Sequence, residues 1–314
     1  MSDNPASATC KRSNIDDVRA HYDLSNDFFA LFQDPTRTYS CAYFPRPDMT
    51  LHEAQLAKVD LTLEKLGLTP GMTLLDIGCG WGSIMKRAVE KHDVNVVGLT
   101  LSENQHAYCR QVLDEIDSKR SRRVLLCDWA DFTEPVDRVV VVEALEHFGF
   151  ERYDDFFKFV YAALPDDGVM LLHSITGLHP KQAMQRHIPV TMGMARFIKF
   201  MVTDIFPGGR LPMIEMVKDH SAKAGFAVTR VQSLQTDFAR TLDLWVEALA
   251  ARRDEAIEIQ SEEVYERYMK YMIGCAGAFR TGYIDCNQFT LEKQKEKSRL
   301  CPGVRASGAR HPAR

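Results

Sequence analysis

Residues 73–82 read TLLDIGCGWG, an apolar run that leads directly into a glycine-rich loop. The glycines at 78, 80 and 82 have the spacing GxGxG, and the loop opens a stretch with the pattern of a helix. Glycine allows the backbone to approach a bound ligand closely and to turn amide groups toward it. Such a loop is a weak signal alone, so its interpretation depends on what surrounds it.

From this loop onward, strand-like segments alternate with helical segments. Five apolar runs suited to buried parallel strands lie at 72–78, 94–99, 123–127, 138–143 and 168–174. This alternation is typical of an α/β fold with a doubly wound parallel sheet. The alternation breaks after the fifth run, and the last two strands are predicted at 226–234 and 283–292.

Helices are predicted from capping residues and spacing. Thr50 and Glu53 form a T-x-x-E capping box that begins a helix over 51–66. An apolar stretch over 181–206 and a longer one over 238–279 are also helical in pattern.

Composition suggests the domain limits. We predict a flexible N-terminus over 1–14 and a single domain over 15–293, which includes a helical lid over 15–70 and a helical insert over 177–225. The tail over 294–314 has six Lys or Arg against one Glu, a net charge of +5, and is predicted to be disordered.

The bulk properties exclude several classes of protein. The net charge is only -4 and the basic residues are scattered, which argues against a nucleic-acid partner. Eight cysteines without a CxxC pair, and no secretory signal, predict a cytoplasmic protein without a metal. The longest apolar stretch, 188–206, contains three charged residues and falls short of the roughly 20 uncharged residues of a transmembrane helix. Contact with a membrane surface stays open.

The second strand indicates which cofactor the loop binds. A dinucleotide enzyme would have an acidic residue about 20 positions after the loop to hold the ribose. Here the strand ends GLTLSENQ, where Ser102 and Gln105 can form a capping box that turns Gln105 toward the crevice, or Gln105 serves as a cap alone. Asp76 provides the negative neighbour that S-adenosylmethionine (SAM) needs. We therefore predict SAM rather than NAD.

Taken together, these motifs resemble the cyclopropane-fatty-acid synthase family, and within it the mycolic acid cyclopropane synthases and methyltransferases of mycobacteria. The resemblance covers about 15–293 and implies a seven-stranded, Rossmann-like class I SAM methyltransferase fold with a helical lid and an acyl-chain tunnel. The motifs are HYDLSNDFFALF (21–32), TYSCAYF (38–44), LLDIGCGWG (74–82), GLTLSENQ (98–105), EHFG (146–149), IFPGGRLP (205–212), EEVYERYMKY (262–271) and QFTLEK (288–293).

The resemblance also implies the cofactor contacts. Trp129 is expected to stack on adenine or, alternatively, to pack in the core, and Ala130 stands where the family usually has Glu. The expected SAM contacts are Tyr39, Ser40, Leu74, Leu75, Asp76, Ile77, Gly78, Cys79, Gly80, Trp81, Gly82, Thr100, Leu101, Ser102, Glu103, Asn104, Gln105, Trp129 and Ala130.

The implied reaction is methyl transfer from SAM to a cis double bond of a long unsaturated acyl chain, a mycolic acid precursor on an acyl carrier protein. An alkene attacks the sulfonium methyl and leaves a carbocation. Loss of a proton from the transferred methyl closes a cyclopropane, which is our first expectation, whereas capture of water gives a methyl-branched alcohol. A SAM-binding homologue with little catalysis is the third possibility. The apolar stretch is expected to line the tunnel or to form plain core, through Ile188, Val190, Met192, Met194, Phe197, Ile198, Met201, Val202 and Phe206.

The catalytic candidates also come from the resemblance. Members of the family bind a bicarbonate ion as the proposed base, and the matching positions are Cys41, through its backbone, Glu146 and His173. The aromatic N-terminal segment is expected to offer ring faces to positive charge or, alternatively, simply to pack, through Tyr22, Phe28 and Tyr39. Cys275 matches a cysteine proposed as catalytic, although its apolar neighbours favour a structural role.

Two departures from the family pattern bear on the product. Phe238 replaces the tyrosine expected to help hold bicarbonate. Glu143 stands where cyclopropane-forming members usually have Gly and where members that add methyl and hydroxyl together have Glu. A carboxylate there is expected to displace the anion, to act as the base, or to position water.

Overall fold

The computed structural model describes residues 25–188 and 191–294. Tyr22, Val190 and the predicted flexible N-terminus therefore lie outside the described residues, as does nearly all of the predicted disordered tail. The strands are β1 (Thr73–Ile77), β2 (Asn95–Thr100), β3 (Arg122–Leu126), β4 (Arg138–Val142), β5 (Val169–Gly177), β6 (Phe226–Ser233) and β7 (Ile284–Lys293).

Eleven helices pack around these strands within the described residues. They are α1 (Asn26–Ala30), α2 (Leu51–Leu66), α3 (Ser83–His92), α4 (Glu103–Asp114), α5 (Tyr153–Ala163), α6 (Pro180–Gln185), α7 (Met192–Phe200), α8 (Ile214–Ala224), α9 (Gln235–Ala251), α10 (Arg253–Ile259) and α11 (Glu262–Arg280). Short 3₁₀ turns cover Trp129–Asp131, Leu145–His147 and Phe150–Arg152, and a π turn covers Met201–Ile205. The helical region predicted over 238–279 is thus divided among three helices.

The seven predicted strands form one sheet in the order β3-β2-β1-β4-β5-β7-β6. The first five strands are parallel, as predicted, but β7 runs antiparallel to both of its neighbours. The order reverses between β1 and β4, and this switch point is where open α/β sheets bind their ligands.

The consecutive valines of β4 reflect burial on both faces of the sheet. Val139 and Val141 pack in the cluster that contains Phe156 of α5, whereas Val140 packs in the cluster that contains Leu63 of α2. Since successive side chains of a strand point to opposite faces, a strand covered on both faces is apolar throughout.

The helix over 51–66 has the predicted limits and capping. Thr50 and Glu53 form the reciprocal capping box, and Gly67 ends the helix in the left-handed conformation at φ 59°. One helix face carries polar residues that are fully buried, among them Lys58 and Thr62.

The aromatic N-terminal segment packs against the last helices. Phe28 makes edge-on contacts with Phe32 and with Tyr268 of α11, at centroid distances of 6.0 and 5.0 Å. Phe28 is fully buried in this cluster, so its ring serves packing. Among the helices of the described residues, none combines the length and apolar character needed to cross a membrane.

Candidate active site

The glycine loop lies at the carboxyl end of β1 and requires glycine at several positions. Gly78, Gly80 and Gly82 have φ values of 80°, 54° and 84°, a region that side chains disfavour. A Cβ at Gly78 would lie 2.7 Å from the Ala144 Cβ. The loop therefore brings its backbone against the segment that follows β4.

A cavity between this loop and β2 contains most of the predicted cofactor residues. Leu74 and Leu75 instead pack inside the sheet, and Ala130 is exposed at the surface. Gly82, Glu103 and Asn104 lie outside the cavity wall. The predicted residues that line the cavity are Tyr39, Ser40, Asp76, Ile77, Gly78, Cys79, Gly80, Trp81, Thr100, Leu101, Ser102, Gln105 and Trp129.

Unpaired polar atoms in this wall fit SAM. Both carboxylate oxygens of Asp76 are buried and have no hydrogen-bond partner within the described part of the chain. Burial raises the pKa of Asp76 to about 7. A carboxylate held without a partner favours a cationic ligand, and SAM supplies both a sulfonium and an ammonium group.

The predicted cap at the start of α4 is present. The Ser102 hydroxyl accepts from the Gln105 amide, at 3.1 Å. The Gln105 side chain is also held from β2, because the Thr100 hydroxyl donates to its Oε1 at 2.9 Å. Gln105 is therefore capped by Ser102 and lines the cavity. The return bond of the predicted capping box is missing among the described residues, because the Ser102 backbone amide donates to the Thr100 hydroxyl instead, and the contact of Gln105 with the cofactor stays a prediction.

Trp129 packs in the core and also lines the cavity. The Arg152 guanidinium lies 4.5 Å from the ring centre, and Phe156 packs edge-on at 5.3 Å. Its Nε1 is buried and has no partner in the described residues. Arg152 is in turn held by Asp128, at 2.7 Å.

A second cavity of about 410 Å³ lies between the insert and the last helices. Its size is typical of sites for small molecules and lipid groups. Six of the predicted tunnel residues line it, whereas Ile188 is not part of its wall and Met192 is 75% exposed outside it. The six are Met194, Phe197, Ile198, Met201, Val202 and Phe206.

The two cavities share part of their walls. Tyr39, Glu143 and His147 line both. Burial lowers the pKa of His147 to about 4, so its ring is neutral at physiological pH. Groups bound in the two cavities would meet beside these three residues.

Glu143 occupies the centre of this junction. Its Oε1 accepts from the Cys41 amide at 2.8 Å and lies 3.3 Å from His173 Nε2. Its backbone has φ 50°, a left-handed conformation that is unfavourable for glutamate. Burial raises the pKa of Glu143 to about 7.

Glu146 points into the second cavity from the 3₁₀ turn after β4. Its Oε1 accepts from the Ile175 amide at 2.6 Å, and its Oε2 is buried without a partner in the described residues. Burial and the neighbouring Glu143 carboxylate raise the pKa of Glu146 to about 8. Both carboxyls therefore hold a proton more readily than an exposed glutamate does, and the pair carries less than two negative charges near neutral pH.

His173 is fully buried in the middle of β5, level with Val142, the last residue of β4. Burial lowers its pKa well below the ordinary value, so the ring is neutral. Its Nε2 lies 2.9 Å from the Cys286 Sγ. The atoms of Cys41, His173 and Cys286 that could bind a metal ion, two Sγ and one ring nitrogen, lie within 4.8 Å of one another.

The comparisons with known proteins agree with this geometry. The family model described as mycolic acid cyclopropane synthetase matches residues 9–289.

The chain belongs to this family.

Two relatives from Mycobacterium tuberculosis illustrate the range of products within the synthetase family. Methoxy mycolic acid synthase MmaA3 is 76% identical over 293 residues, which cover 93% of this chain and 100% of that protein. Cyclopropane mycolic acid synthase 1 is 64% identical over 276 residues, which cover 88% of this chain and 96% of that protein.

Solved structures of the synthetase family share the fold. The cyclopropane synthase MmaA2 from M. tuberculosis superposes with a TM-score of 0.88 at 63% identity, covering 89% of this chain and 98% of that one. Mycolic acid cyclopropane synthase CmaA1, complexed with SAH and CTAB, gives a TM-score of 0.87 at 64% identity over 89% of this chain and 98% of that one. The predicted fold class and family are therefore confirmed, and the chain is a SAM-dependent methyltransferase.

Other predicted residues lie away from the junction or lack the family's functional group. Cys275 is in the wall of the second cavity, 4.0 Å from the Met201 Sδ, and burial raises its thiol pKa to about 12. Such a thiol stays protonated and is a poor nucleophile. Phe238 is buried against Phe279 at a centroid distance of 4.6 Å, and its ring offers no hydroxyl to an anion.

Lys58 and Cys286 were not predicted as site residues. Lys58 is fully buried, donates to the Ser40 hydroxyl at 2.7 Å and lines the first cavity. A signal for Lys58 was available, because Lys58 and Thr62 follow Ala54 at helical spacing, so the helix face that buries Ala54 also carries Lys58. Cys286 had no comparable signal, since its neighbours come from distant segments.

Proposed function

We propose that the chain transfers the methyl group of SAM to the hydroxyl oxygen of a hydroxylated mycolic acid chain and so forms a methoxy group. The observation that carries this proposal is the position of Glu143, whose carboxylate lies in the walls of both cavities. We call the first, beside the glycine loop, the cofactor cavity, and the second, beside the insert, the lipid cavity. The Glu143 Oε1 accepts the Cys41 amide, one of the contacts that the family resemblance assigns to a bicarbonate base. The name of the relative MmaA3 also supports a methoxy product.

The proposed chemistry needs a base beside the acceptor oxygen. The oxygen forms a bond to the methyl carbon while the carbon–sulfur bond of the sulfonium breaks, and the sulfur keeps the electron pair. The hydroxyl proton passes to the Glu143 carboxylate. A pKa of about 7 suits this step, because a general base works best when its pKa is near the operating pH.

The apolar cavity would hold the chain and exclude water. Phe197 and Met201 supply apolar walls, and Tyr39 closes the junction from the side of the N-terminal segment. Fixing the acceptor oxygen against the methyl group replaces a bimolecular encounter and contributes much of the rate. We further propose that the chain arrives on an acyl carrier protein and that the reaction takes place in the cytoplasm.

Cyclopropane formation, our first expectation from the sequence, is the second candidate. The observation that favours it is Glu146, whose buried Oε2 faces the lipid cavity without a partner in the described residues. An ionised Glu146 would stabilise a carbocation and accept its proton. The pKa of about 8 opposes this role at neutral pH, because the residue then holds its own proton.

Deuterated SAM separates the candidate reactions. The enzyme would be incubated with SAM carrying a CD₃ group and with acyl carrier protein loaded with either a hydroxylated or a cis-unsaturated long chain. A methyl ether keeps all three deuterium atoms. A cyclopropane keeps two, because ring closure removes one deuteron from the transferred methyl group. A methyl-branched alcohol keeps three and takes oxygen from labelled water.

We expect the three-deuterium ether from the hydroxylated chain. A two-deuterium product from the unsaturated chain, with no ether, would replace this proposal by cyclopropane formation. SAM binding by calorimetry without product from either chain would indicate a SAM-binding homologue.

A further inference from the structure

Gln288 connects α2 to the candidate active site through three hydrogen bonds. It lies on β7, opposite His173 of β5, and is fully buried. Its Oε1 is 2.5 Å from Lys65 Nζ, and its Nε2 is 3.1 Å from both the Thr62 hydroxyl and His173 Nδ1.

The orientation of the Gln288 amide follows from its partners. Burial lowers the pKa of Lys65 to about 8, and the ammonium present below that pH can only donate, so the amide atom facing it is the oxygen. The Thr62 hydroxyl donates its single hydrogen to the Lys58 carbonyl at 2.8 Å, so it must accept from Gln288. Both ends of the amide therefore require Nε2 to face His173.

We propose that Gln288 is a positioning residue that fixes His173 in the tautomer with its proton on Nε2. The inference depends on the proposed function only for its effect on turnover. Since the Gln288 Nε2 donates to Nδ1, that ring nitrogen must carry a lone pair. The single proton of the neutral ring is then on Nε2, which lies 2.9 Å from the Cys286 Sγ and 3.3 Å from the Glu143 Oε1.

This tautomer places a polar hydrogen, rather than a nitrogen lone pair, close to the Glu143 carboxylate. Nε2 lies 3.3 Å from Oε1 and shares a hydrogen bond with the Cys286 Sγ at 2.9 Å, while the Cys41 amide donates to Oε1 at 2.8 Å. Donors to a carboxylate favour its ionised form, which is the form that acts as a base. In the opposite tautomer a nitrogen lone pair would face the carboxylate oxygen and repel it.

Other titratable groups also face Glu143, and the hydrogen bond from Gln288 to His173 acts in addition to them. Lys58 favours the ionised carboxylate, whereas the remaining groups are neutral or share its sign. These groups are Lys58 from α2, Cys41 from the N-terminal segment, Glu146 from the turn after β4, Tyr271 from α11 and Cys286 from β7.

The hydrogen bond from Gln288 to His173 also determines what the buried Cys41, His173 and Cys286 can bind. These three groups have the spacing of a metal site. A metal ion would need a lone pair on His173 Nε2, and in the tautomer fixed by Gln288 that nitrogen carries a proton instead. The same hydrogen bonds thus favour the carboxylate contact over a metal at this position.

Nitrogen NMR of the uniformly ¹⁵N-labelled wild-type protein tests the tautomer directly. The spectrum would be recorded without SAM or lipid at pH 8, and the His173 signals would be assigned by their loss in His173→Gln. We expect a protonated, pyrrole-type Nε2 and an unprotonated, pyridine-type Nδ1. A protonated Nδ1 would overturn the proposal.

Kinetics test the consequence with a matched pair of variants. Gln288→Leu removes the donor to His173, while Gln232→Leu removes the other amide that accepts from Lys65, at 2.8 Å, and does not touch His173. The acidic limb of kcat/KM should move upward by about half to one pH unit in Gln288→Leu and should stay at the wild-type position in Gln232→Leu. Equal movement in both variants, or none in Gln288→Leu, would contradict the positioning role.

The outcome for the tautomer can be told apart from the outcome for the proposed function. The NMR measurement needs no substrate, so the wrong choice of reaction leaves it unchanged. If the tautomer is as expected and no methyl ether forms, only the proposed function fails.

Discussion

The cofactor cavity and the lipid cavity are built in different ways. The first is formed at the ends of parallel strands by short motifs, and its glycine loop works through the backbone. The second is formed by side chains from distant segments, as where Phe197 of α7 meets Gly274 of α11. The first cavity is therefore determined locally, whereas the second depends on tertiary packing. Glu143 belongs to the walls of both.

The largest effect is expected at this shared wall. Glu143→Gln keeps the side-chain shape but removes the base, so turnover should fall by about 10²- to 10⁴-fold. SAM affinity, measured by calorimetry, should stay close to wild type. A parallel loss of SAM binding would show that Glu143 belongs to the cofactor cavity rather than to the junction.

A smaller effect, confined to the cofactor cavity, is expected at Asp76. Asp76→Asn removes a buried charge that has no partner in the described residues, and SAM should bind about 10- to 100-fold more weakly. The KM for the lipid at saturating SAM is the control and should be unchanged. Unchanged SAM affinity would remove Asp76 from the cofactor site.

The lipid cavity can be tested alone through α11. A Cβ at Gly274 would overlap the Phe197 ring, so Gly274→Ala should displace that ring and lower kcat/KM for the lipid about tenfold. Gly277 lies on the same helix with nothing within 4 Å of its Cβ position, and Gly277→Ala is the matched control. Adding Phe197→Leu to Gly274→Ala should restore activity.

If Gly274→Ala weakens SAM binding as much as lipid turnover, the two cavities are not separate. Gly277→Ala should leave turnover unchanged and stabilise the helix by about 0.5–1 kcal/mol, since alanine restricts the unfolded chain.

The smallest effect concerns stability and pH. Burial raises the folded-state pKa values of Asp76 and Glu143 to about 7 and of Glu146 to about 8. Between about pH 6.5 and 8 the folded protein therefore binds more protons than the unfolded chain, and the free energy of unfolding should decrease as pH rises. Above this window the buried Lys58 and Lys65, whose pKa values are lowered, act in the opposite direction. Below this window the buried His147 and His173, whose pKa values are lowered, act in the opposite direction.

Denaturant unfolding of the ligand-free enzyme at several pH values measures this slope, which should amount to one to a few kcal/mol over the window. Glu146→Gln should flatten the slope. A slope of the opposite sign would show that these carboxyls are better solvated than their burial indicates.

Sequence reasoning was most successful where function depends on local pattern. The seven strands, the capped helix over 51–66 and the glycine loop were predicted close to their observed positions, because capping, alternation and glycine spacing are short-range properties. The left-handed φ values of Gly78, Gly80 and Gly82 agree with the reason for predicting a ligand loop there.

The site contacts and the strand direction that the sequence did not predict depend on contacts between distant segments. Gln288 and His173 are 115 positions apart, and their contact requires β7 to insert antiparallel between β5 and β6. The alternation of strands predicted a parallel sheet and gave no sign of this reversal. Met192 also shows the limit of composition, since an apolar residue in the insert need not face the cavity.

The left-handed backbone of Glu143 has a genetic consequence. Glutamate and glycine codons differ at one nucleotide, and glycine would remove a conformational penalty of about 1 kcal/mol at φ 50°. A single base change can thus make the protein more stable while deleting its proposed base. Glycine is therefore one nucleotide away for a selection that rewards stability alone, and persistence of glutamate in a growing population would measure the benefit of its product.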